Sequence, residues 1–518
     1  MNKKISVMKK KLYWIFSVLL SCTLFYACID DESSGFKTEG SPITITTSDT
    51  VFDVEQGLPV TIDPDVTQTE PDLPLTYEWR AMSMDKNNGE FSDSLKFIGV
   101  DRVLNYTFKN SGVYKIRLRV ENKYRSEFKN FTVNVLAPFD QGILVLSNDE
   151  NDNGRLSFLR AKSETEILDK KETDFNLNAF YLNSDIQLRG VRDAMLIGNK
   201  GADDKAVSQL IISSETNGML YFTETKSFLV EYMVNVTASF PDLGPTTICS
   251  SGDNFFISEL VFFGCRNKNG NPANLYALNT RGQFCYPDEI SFEQKAVYDK
   301  VMCTFVGKVT DFSRYTLTCC IDNTTGKLHL KSKSLNDYDV SEIMEGRKVV
   351  GAGFFEKDRV IFVMQEDADP TSISVYKTKS QSDGWSDGVM DGIPYTYKDE
   401  NLNLPFGSDL VASDMYQSLF YSRGNEIYRW SPYVTSTPAL PTLPIITLSD
   451  KDEITCMAIS PDELYLYVCV YNPQAKTELK GKLLIMNVKT LKIVKEFPGI
   501  SDRAVKVMWK DSKMSNRS

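Results

Sequence analysis

Histidine is almost absent from this chain of 518 residues, in which His329 is the single one. Catalytic triads and Cys-His dyads use histidine as the general base, and many zinc sites are built from several histidines. The near absence therefore argues against these classes of hydrolase and against a multi-histidine metal site. We expect neither a metal ion nor a cofactor.

The chain also lacks any Cys-x-x-Cys motif, which weakens the case for a zinc site or a redox centre. It contains ten cysteines, and eight of them follow residue 28. Thr318-Cys319-Cys320 and Tyr467-Val468-Cys469 lie in patterns typical of strands, where cysteine behaves as a small buried apolar residue. Buried free thiols are the preferred interpretation. Disulfides are the alternative for an exported protein.

Positive charge is in deficit, with 58 Lys and Arg against 69 Asp and Glu and a formal net charge of −11. The first 27 residues hold five lysines and no acid, so the remainder of the chain carries about −16. Nucleic-acid binding needs a basic surface, so this balance argues against it. With 42% hydrophobic and 25% charged residues, the composition is that of a globular protein.

Long apolar runs are missing except near the N-terminus. Lysines between residues 3 and 11 precede an uncharged stretch from Leu12 to Ala27. Sixteen residues are short for a membrane span and typical of the core of a secretory signal peptide. We predict a signal peptide over residues 1–27.

The end of this stretch, Leu24-Phe25-Tyr26-Ala27-Cys28, resembles the bacterial lipobox, in which the cysteine is acylated after cleavage. Leu19-Leu20-Ser21-Cys22 is a competing match. Cys28 is preferred because Asp30-Asp31-Glu32 follow it, which resembles the surface-export signal of lipoproteins in the Bacteroides group. A cleaved secretory signal without lipid is the alternative. Residues 28–42 would form a lipid-anchored flexible tether.

Residues 43–137 show short alternating strands, which predict a β-sandwich. In Gly112–Asn122 the apolar residues fall on one face of the strand. This segment resembles the G-x-Y-x-[VI]-x-L-x-V-x-N strand of polycystic-kidney-disease (PKD) domains, and Leu75–Trp79 resembles their Y-x-W strand. The Gly-Asp-Gly usual after the Trp strand is absent. The resemblance implies a PKD-like, immunoglobulin-like spacer or interaction domain, with Trp79 in its core.

The next segment is a predicted hairpin, with strands at Gly142–Ser147 and Gly154–Leu159 and an acidic turn between them. It resembles the hairpin that follows the sandwich in the Bacteroidetes PKD-like family of lipoproteins. Asp149–Gly154 also matches half of a calcium-binding loop, but Arg160 stands where a bidentate Glu is required, so a solvated hairpin turn is preferred. The order of lipobox, PKD-like module and hairpin matches the layout of that family.

Residues 138–518 repeat a strand-and-turn theme at intervals of about fifty residues, and such a period predicts a β-propeller. The length corresponds to seven blades, with six or eight as alternatives. Helix signals are scarce, and the best candidate is Phe292–Val306. The predicted fold class is all-β, with a sandwich followed by a propeller.

Aromatic residues in or beside the predicted long connections at 378–408 and 430–445 are the candidate ligand contacts: Trp385, Tyr395, Tyr397, Trp430 and Tyr433. For Trp430 the alternative is that it closes a strand and packs inward. Their flat rings suit stacking on sugars or peptides. No catalytic residues are assigned.

The resembled family implies an outer-membrane, surface-exposed lipoprotein that accompanies nutrient uptake, and we expect a non-catalytic role. The expected partners are the membrane, through the lipid anchor, and an extracellular glycan or glycopeptide. The alternatives are a glycan lyase or hydrolase on the propeller face, and a structural partner of an outer-membrane transporter complex.

Overall fold

A computed structural model divides the chain into two compact units, residues 1–137 (unit 1) and 138–518 (unit 2). The structure describes residues 40–84, 91, 94–200, 206–250, 260–269, 275–279, 288–290, 300–309, 313–321, 328–332, 337–338, 345–355, 359–377, 393–402, 404 and 408–511. The predicted signal peptide and Cys28 lie outside these residues, as do Cys22 and the tether up to residue 39.

Unit 1 is built from strands alone within its described residues. They are β1 (Ile43–Thr46), β2 (Val51–Glu55), β3 (Pro59–Ile62), β4 (Asp65–Gln68), β5 (Thr76–Ser83), β6 (Lys96–Gly99), β7 (Leu104–Thr107), β8 (Gly112–Glu121) and β9 (Ser126–Leu136). Five of them form a sheet in the order β2-β9-β8-β5-β6, and β1 pairs with β4 and β3 with β7.

One core holds unit 1 together. In β8, buried residues alternate with exposed or half-buried ones, because successive side chains of a strand point to opposite faces. The inward face of the five-stranded sheet packs against apolar residues of the β1–β4 and β3–β7 pairs, such as Ile45 and Ile62. Trp79 is fully buried in this core, 5.7 Å from the Phe131 ring, and its indole N–H donates to the Asp101 carbonyl over 2.7 Å.

Within the described residues, unit 2 contains five sheets of four strands and one sheet of eight strands, which is counted here as two groups, so that there are seven groups of four strands. Group 1 contains β10 (Gly142–Asn148), β11 (Gly154–Arg160), β12 (Phe175–Asn176) and the last strand of the chain, β37 (Arg503–Lys510). Group 2 contains β13 (Val191–Lys200), β14 (Ala206–Ser214), β15 (Met219–Glu224) and β16 (Val230–Asn235). Group 3 contains β17 (Leu243–Ser250), β18 (Leu260–Asn267), β19 (Leu275–Asn279) and β20 (Asp288–Ile290).

Group 4 contains β21 (Lys300–Val309), β22 (Ser313–Ile321), β23 (Leu328–Ser332) and β24 (Asp337–Tyr338). Group 5 contains β25 (Arg347–Phe355), β26 (Arg359–Glu366), β27 (Ser372–Lys377) and β28 (Tyr395–Lys398). Group 6 contains β29 (Ser408–Ser413), β30 (Ser418–Arg423), β31 (Glu426–Trp430) and β32 (Ile446–Thr447). Group 7 contains β33 (Glu453–Ile459), β34 (Tyr465–Tyr471), β35 (Gly481–Asn487) and β36 (Lys492–Ser501).

The strands within each group pair antiparallel, and a parallel pair between β25 and β29 joins groups 5 and 6 into the eight-stranded sheet. Apolar cores join groups 1 and 2, 2 and 3, 5 and 6, 6 and 7, and 7 and 1. The strand order in group 1 is β37-β10-β11-β12, so β37 has the place that the first strand has in the other groups. The first strands also lie side by side, since β13 contacts β17, β17 contacts β21, and β33 contacts β37. Because β37 completes the first group, the last strand of the chain closes the succession of sheets. This arrangement is a β-propeller, as the sequence predicts.

Helical structure is confined to short pieces among the described residues. They are α1 (Ala179–Ser184), α2 (Val236–Ser239) and 3-10 turns at Thr165–Asp169 and Glu172–Asp174. The expected helix over Phe292–Val306 is wrong in its described part, where Lys300–Val309 forms β21. Within the described ranges, no helix has the length and apolar character needed to cross a bilayer.

Candidate functional site

The predicted ligand-binding aromatics that the structure describes do not form an exposed platform. Trp385 lies outside the described residues. Tyr395 and Tyr397 lie on β28 instead of in a loop, with their rings stacked at a centroid distance of 5.8 Å. Both are half-buried. The Tyr397 hydroxyl accepts the Leu440 N–H over 3.1 Å, and burial raises the pKa of Tyr397 to about 12. Tyr397 therefore holds a neighbouring segment in place.

Trp430 requires a correction. It ends β31 and is only 3% exposed, packed in the core shared by groups 5 and 6. No face of its ring is open for stacking on a sugar, so it is a packing residue. Tyr433 packs edge-on against Phe355, with their ring centroids 5.5 Å apart, and Lys377 lies over its ring. Trp430 and Tyr433 therefore stabilise the packing of group 5 against group 6.

The first strand of six groups carries a β-bulge where it pairs with the second strand. In β13 the register passes over Arg192 between Val191 and Asp193. A bulge leaves one residue unpaired and re-aims its side chain, and bulges are frequent beside functional sites. The residues passed over in the six strands are Arg192, Thr246 with Thr247, Cys303 with Thr304, Val350, Thr455 and Val505.

Charged side chains gather at the end of the propeller where the first strands begin. In an antiparallel sheet, the start of the first strand lies beside the turn between the second and third strands. Six residues of groups 7, 1, 2 and 3 share this end, and we call them the charged arc: Glu453, Arg503, Asp152, Arg192, Glu215 and Arg266. It contains three guanidinium groups and three carboxylates.

One half of the charged arc joins groups 7 and 1. Arg503, at the start of β37, binds Glu453, at the start of β33, with both of its terminal nitrogens, and Nη1 lies 2.7 Å from Oε2. Such a two-point pair fixes the orientation of both planar groups. The Arg503 guanidinium lies 5.5 Å from the centre of the Tyr471 ring, and the Tyr471 hydroxyl lies 3.4 Å from Glu150.

The other half joins groups 1, 2 and 3 around the bulged residue Arg192. Its Nε binds Glu215, and its Nη2 lies 3.9 Å from the carboxylate of Asp152. Arg266 approaches the same Glu215 carboxylate at 3.5 Å. Asp152 has a left-handed backbone with a φ of 64° and accepts a hydrogen bond from the Thr216 hydroxyl over 2.7 Å. All these side chains except Glu215 are one third exposed or more.

A deeper ion pair lies next to the charged arc. Lys506 Nζ approaches Asp193 Oδ1 at 2.8 Å, which joins β37 to β13. The same carboxylate accepts the N–H groups of Ala194 and Ile248, the latter from group 3. Asp193 is 9% exposed. Asp193 therefore holds β37, β13 and β17 together, and its carboxylate oxygens are already used by these partners.

The predicted hairpin turn at Asp149–Gly154 is also present, between β10 and β11. The Asp149 carboxylate accepts the N–H groups of Asn151 and Asn153 and the Asn153 side-chain amide, each over 2.8 Å. Burial acts to raise the pKa of Asp149, but these hydrogen bonds outweigh it and lower the pKa. The Asp149 carboxylate therefore stabilises the turn through these hydrogen bonds.

A second acidic cluster lies at the opposite end of the sheets. Glu164, after β11, is 9% exposed and accepts the Asp462 N–H over 3.2 Å. Burial, and then the proton it shares with the Asp462 carboxyl, raise the pKa of Glu164 to about 8. Burial acts to raise the pKa of Asp462, but its hydrogen bonds with Glu164 and Ser460 outweigh burial, so this pKa is lowered. Tyr467 beside them is fully buried. The hydrogen bond from the Asp462 N–H joins groups 7 and 1, and within the pair Glu164 is buried whereas Asp462 is exposed.

Cysteine sulfurs are free where the structure describes their side chains, at Cys265, Cys456 and Cys469. Cys456 and Cys469 are register partners on β33 and β34. Across the described ranges, no group of three or more His, Cys, Asp and Glu residues is arranged to hold a metal ion.

Sequence reasoning missed the charged arc. Its members are spread from residue 152 to residue 503, and each is an ordinary charged residue near a turn. The bulge that exposes Arg192 has no local sequence signature. A search for charged residues at one fixed position of each fifty-residue repeat could have found the charged arc.

The comparisons with known proteins identify no family for this chain. No family model and no curated protein matches the sequence. Among solved structures, the chain is similar to a quinoprotein alcohol dehydrogenase-like protein from Bacteroides thetaiotaomicron, with 13% identity, 90% of this chain and 97% of that chain covered, and a TM-score of 0.44. It is also similar to virginiamycin B lyase from Staphylococcus aureus, with 12% identity, 65% and 94% covered, and a TM-score of 0.37. The WD40 domain of SCAP from fission yeast shares 10% identity over 73% and 90%, with a TM-score of 0.34. These similarities assign no activity.

Proposed function

We propose that the protein is a lipid-anchored outer-membrane protein, exposed on the cell surface, whose propeller binds a neutral glycan or a glycopeptide without catalysis. In this proposal Cys28 carries the lipid, residues 43–137 form a PKD-like spacer, and the seven groups of four strands are seven blades. The observation that carries the binding role is the charged arc, which groups 7, 1, 2 and 3 present together.

The chemistry of the charged arc suits a polyhydroxylated ligand. Guanidinium groups donate and carboxylates accept, so adjacent hydroxyls of a sugar ring find both partners in one place. Paired charges hold these donors and acceptors in a fixed orientation, which lowers the entropy lost on binding. Tyr471, beside Arg503, adds an aromatic ring that can cover an apolar sugar face. The opposite charges of the arc balance each other, so a neutral ligand fits better than a strongly charged one.

The same pairing supports binding over catalysis. A general acid or base must exchange a proton with the substrate. In the charged arc the carboxylates of Glu453 and Glu215 already bind guanidinium groups. The carboxyl with a raised pKa, Glu164, is nearly buried at the other end of the sheets. A lyase or hydrolase is therefore the weaker candidate.

The test is a glycan array followed by calorimetry on the chain from residue 29 onward. We expect binding of a neutral glycan or glycopeptide, and a loss of about tenfold or more in affinity for Arg192→Ala and Arg503→Ala, since a hydrogen bond to a charged group is worth about 1.5–3 kcal/mol. Lys489→Ala is the matched control, because Lys489 is exposed in the turn between β35 and β36, at the opposite end of the sheets.

Two outcomes would replace the proposal. If no neutral glycan or glycopeptide binds and a co-encoded membrane protein binds tightly, the chain is a structural partner of a transporter complex. If a glycan is cleaved during the assay, the chain is an enzyme.

A further inference from the structure

A concave basic surface covers the outward face of the five-stranded sheet in unit 1. Two adjoining grooves, of about 490 and 250 Å³, share Leu95 and Arg117 in their walls. We call the two together the basic groove. Its charged walls are Arg80, Lys115, Arg117, Arg119 and Glu78. Four cations against one carboxylate form a local excess of positive charge on a chain that is otherwise acidic.

The register of the strands places like charges side by side. Arg80 on β5 is the direct partner of Arg117 on β8. Like charges at directly opposite positions destabilise a sheet. Lys115 follows on the same face of β8, two residues away. An anion lying between these cations would remove the repulsion.

The neighbouring carboxylates leave part of this charge uncompensated. Glu78 binds Arg80, and Glu121 binds Arg119 at 2.7 Å. Among the described residues, Arg117 and Lys115 have no ion-pair partner, and both are exposed. Arg117 instead lies 5.9 Å from the centre of the Phe128 ring. Both cations lie at the centre of the groove, since Arg117 lines its two parts.

The other walls of the groove are apolar or carry uncharged hydrogen-bonding groups. Met82 and Leu95 provide apolar surface, and Asn130 and Thr132 provide an amide and a hydroxyl. The 52% exposed Phe128 ring flanks the second groove. A hexuronate sugar carries a carboxylate, several hydroxyls and an apolar C–H face, which match these three kinds of wall. A planar membrane surface contacts residues that protrude from a protein. A concave groove therefore suits a discrete ligand better than a membrane.

We propose that the basic groove of unit 1 is a second binding site, which takes a hexuronate residue of an acidic oligosaccharide. Arg117 and Arg80 bind the carboxylate, Lys115 adds a second cation, and Asn130 and Thr132 bind hydroxyls. This site is separate from the charged arc and selects ligands of opposite character. It does not depend on the neutral-glycan proposal for the propeller.

The experiment uses calorimetry on the chain from residue 29 onward, with an oligogalacturonate tetramer as the probe and maltotetraose as its neutral counterpart. We expect the tetramer to bind and its affinity to fall as salt rises, because exposed charges are screened. Arg117→Gln should weaken it by about tenfold or more, as for other hydrogen bonds to charged groups. Lys96→Gln is the matched control, since Lys96 is exposed on the same sheet but is the partner of the inward-facing Ala81.

Thermal unfolding distinguishes a lost contact from a lost fold. Without ligand, Arg117→Gln should melt at the same temperature as the natural chain or slightly higher, because it relieves the repulsion with Arg80. With the tetramer, the melting temperature should rise equally for the natural chain and for Lys96→Gln, and rise less for Arg117→Gln at the same ligand concentration.

Three results would overturn the proposal. They are no binding of the tetramer, equal binding by the natural chain and Arg117→Gln, and binding to phosphatidylglycerol vesicles in place of the tetramer. The last result would identify the groove as a membrane-facing surface. Binding of neutral glycans at the charged arc is unaffected by any of them, so the two proposals fail independently.

Discussion

At the scale of single residues, burial decides what each aromatic and acidic side chain does. Trp79 and Trp430 are both buried, so both contribute to packing. Trp79 lies on a strand whose apolar alternation was readable, and the sequence predicts its place correctly. Trp430 lies beside a polar, proline-containing segment, and the sequence left two interpretations open, a ligand contact or a ring that closes a strand and packs inward. Only the packing of group 5 against group 6 shows that its ring points inward.

Trp79→Ala should lower the free energy of unfolding of unit 1 by about 3–5 kcal/mol, because it removes a buried ring and leaves a cavity. Urea unfolding followed by circular dichroism measures this loss. Phe128→Ala is the control, since Phe128 is 52% exposed on the outward face of the same sheet. A loss below about 1 kcal/mol for Trp79→Ala would contradict the core position of this ring.

Glu164 makes the stability of the propeller depend on pH. Its pKa is raised to about 8 from an ordinary value of 4.5, so the folded state holds a proton that the unfolded state releases between these values. The stabilising contribution is therefore complete below about pH 4.5 and is lost as pH rises towards 8. We expect stability to fall by about 1–3 kcal/mol between pH 5 and 8, since each pKa unit is worth about 1.4 kcal/mol.

Glu164→Gln cannot ionise and should flatten this dependence, as measured by melting temperature across the same pH range. The pKa of Asp462 is lowered, so its own contribution is lost only at acid pH, below this window. Glu478→Gln, at an exposed position, should retain the slope of the natural chain. An unchanged slope in Glu164→Gln would show that another group titrates.

At the scale of elements, the first strands of six groups carry bulges that the fifty-residue repeat does not predict. The fifty-residue period and the alternation of apolar residues predict strands and a propeller, and the sheets confirm both. The bulges were not predictable, because a bulge is defined by the pairing of two strands. Tyr395 and Tyr397 were assigned to a loop for a similar reason: β28 has only four residues and is fixed by pairing with β27.

The last strand, β37, should be required for a stable propeller. It pairs with β10 along its length and contributes Val507 and Trp509 to the core shared with group 7. A chain that ends at Asp502 exposes the edge of β10 and this apolar core, so we expect loss of cooperative thermal unfolding and aggregation. A chain that ends at Asp511 keeps β37 and should unfold as the full chain does. Cooperative unfolding of the shorter chain would show that closure by β37 is dispensable.

At the scale of the whole molecule, two compact units follow an N-terminal segment that the sequence assigns to export. The described part of unit 1 is a two-layer β-structure, and unit 2 is a propeller with charged side chains at one end of its sheets. In the proposed function, the place of the protein in the cell depends on the first 28 residues, because a signal peptide acts before the chain folds.

Cys28→Ala should release the protein from the membrane fraction, because acylation of this cysteine would be its attachment. Cell fractionation followed by immunoblotting measures the change, and Cys22→Ala is the control. If Cys22→Ala releases the protein and Cys28→Ala does not, the cleavage site lies six residues earlier. If neither variant does, the N-terminus is an ordinary secretory signal.

The sequence by itself determined the all-β character, the propeller and the core position of Trp79, because these follow from local alternation and from a regular repeat. The charged arc, the Glu164–Asp462 pair and the basic groove were decided only by the tertiary structure. Their members are distant in sequence: Glu164 and Asp462 are nearly three hundred residues apart. Alternation assigns a residue to a face of its strand, but the register of neighbouring strands decides which charges on that face meet. That is why Arg80 and Arg117 are unremarkable in the sequence and form the centre of a basic groove in the folded sheet.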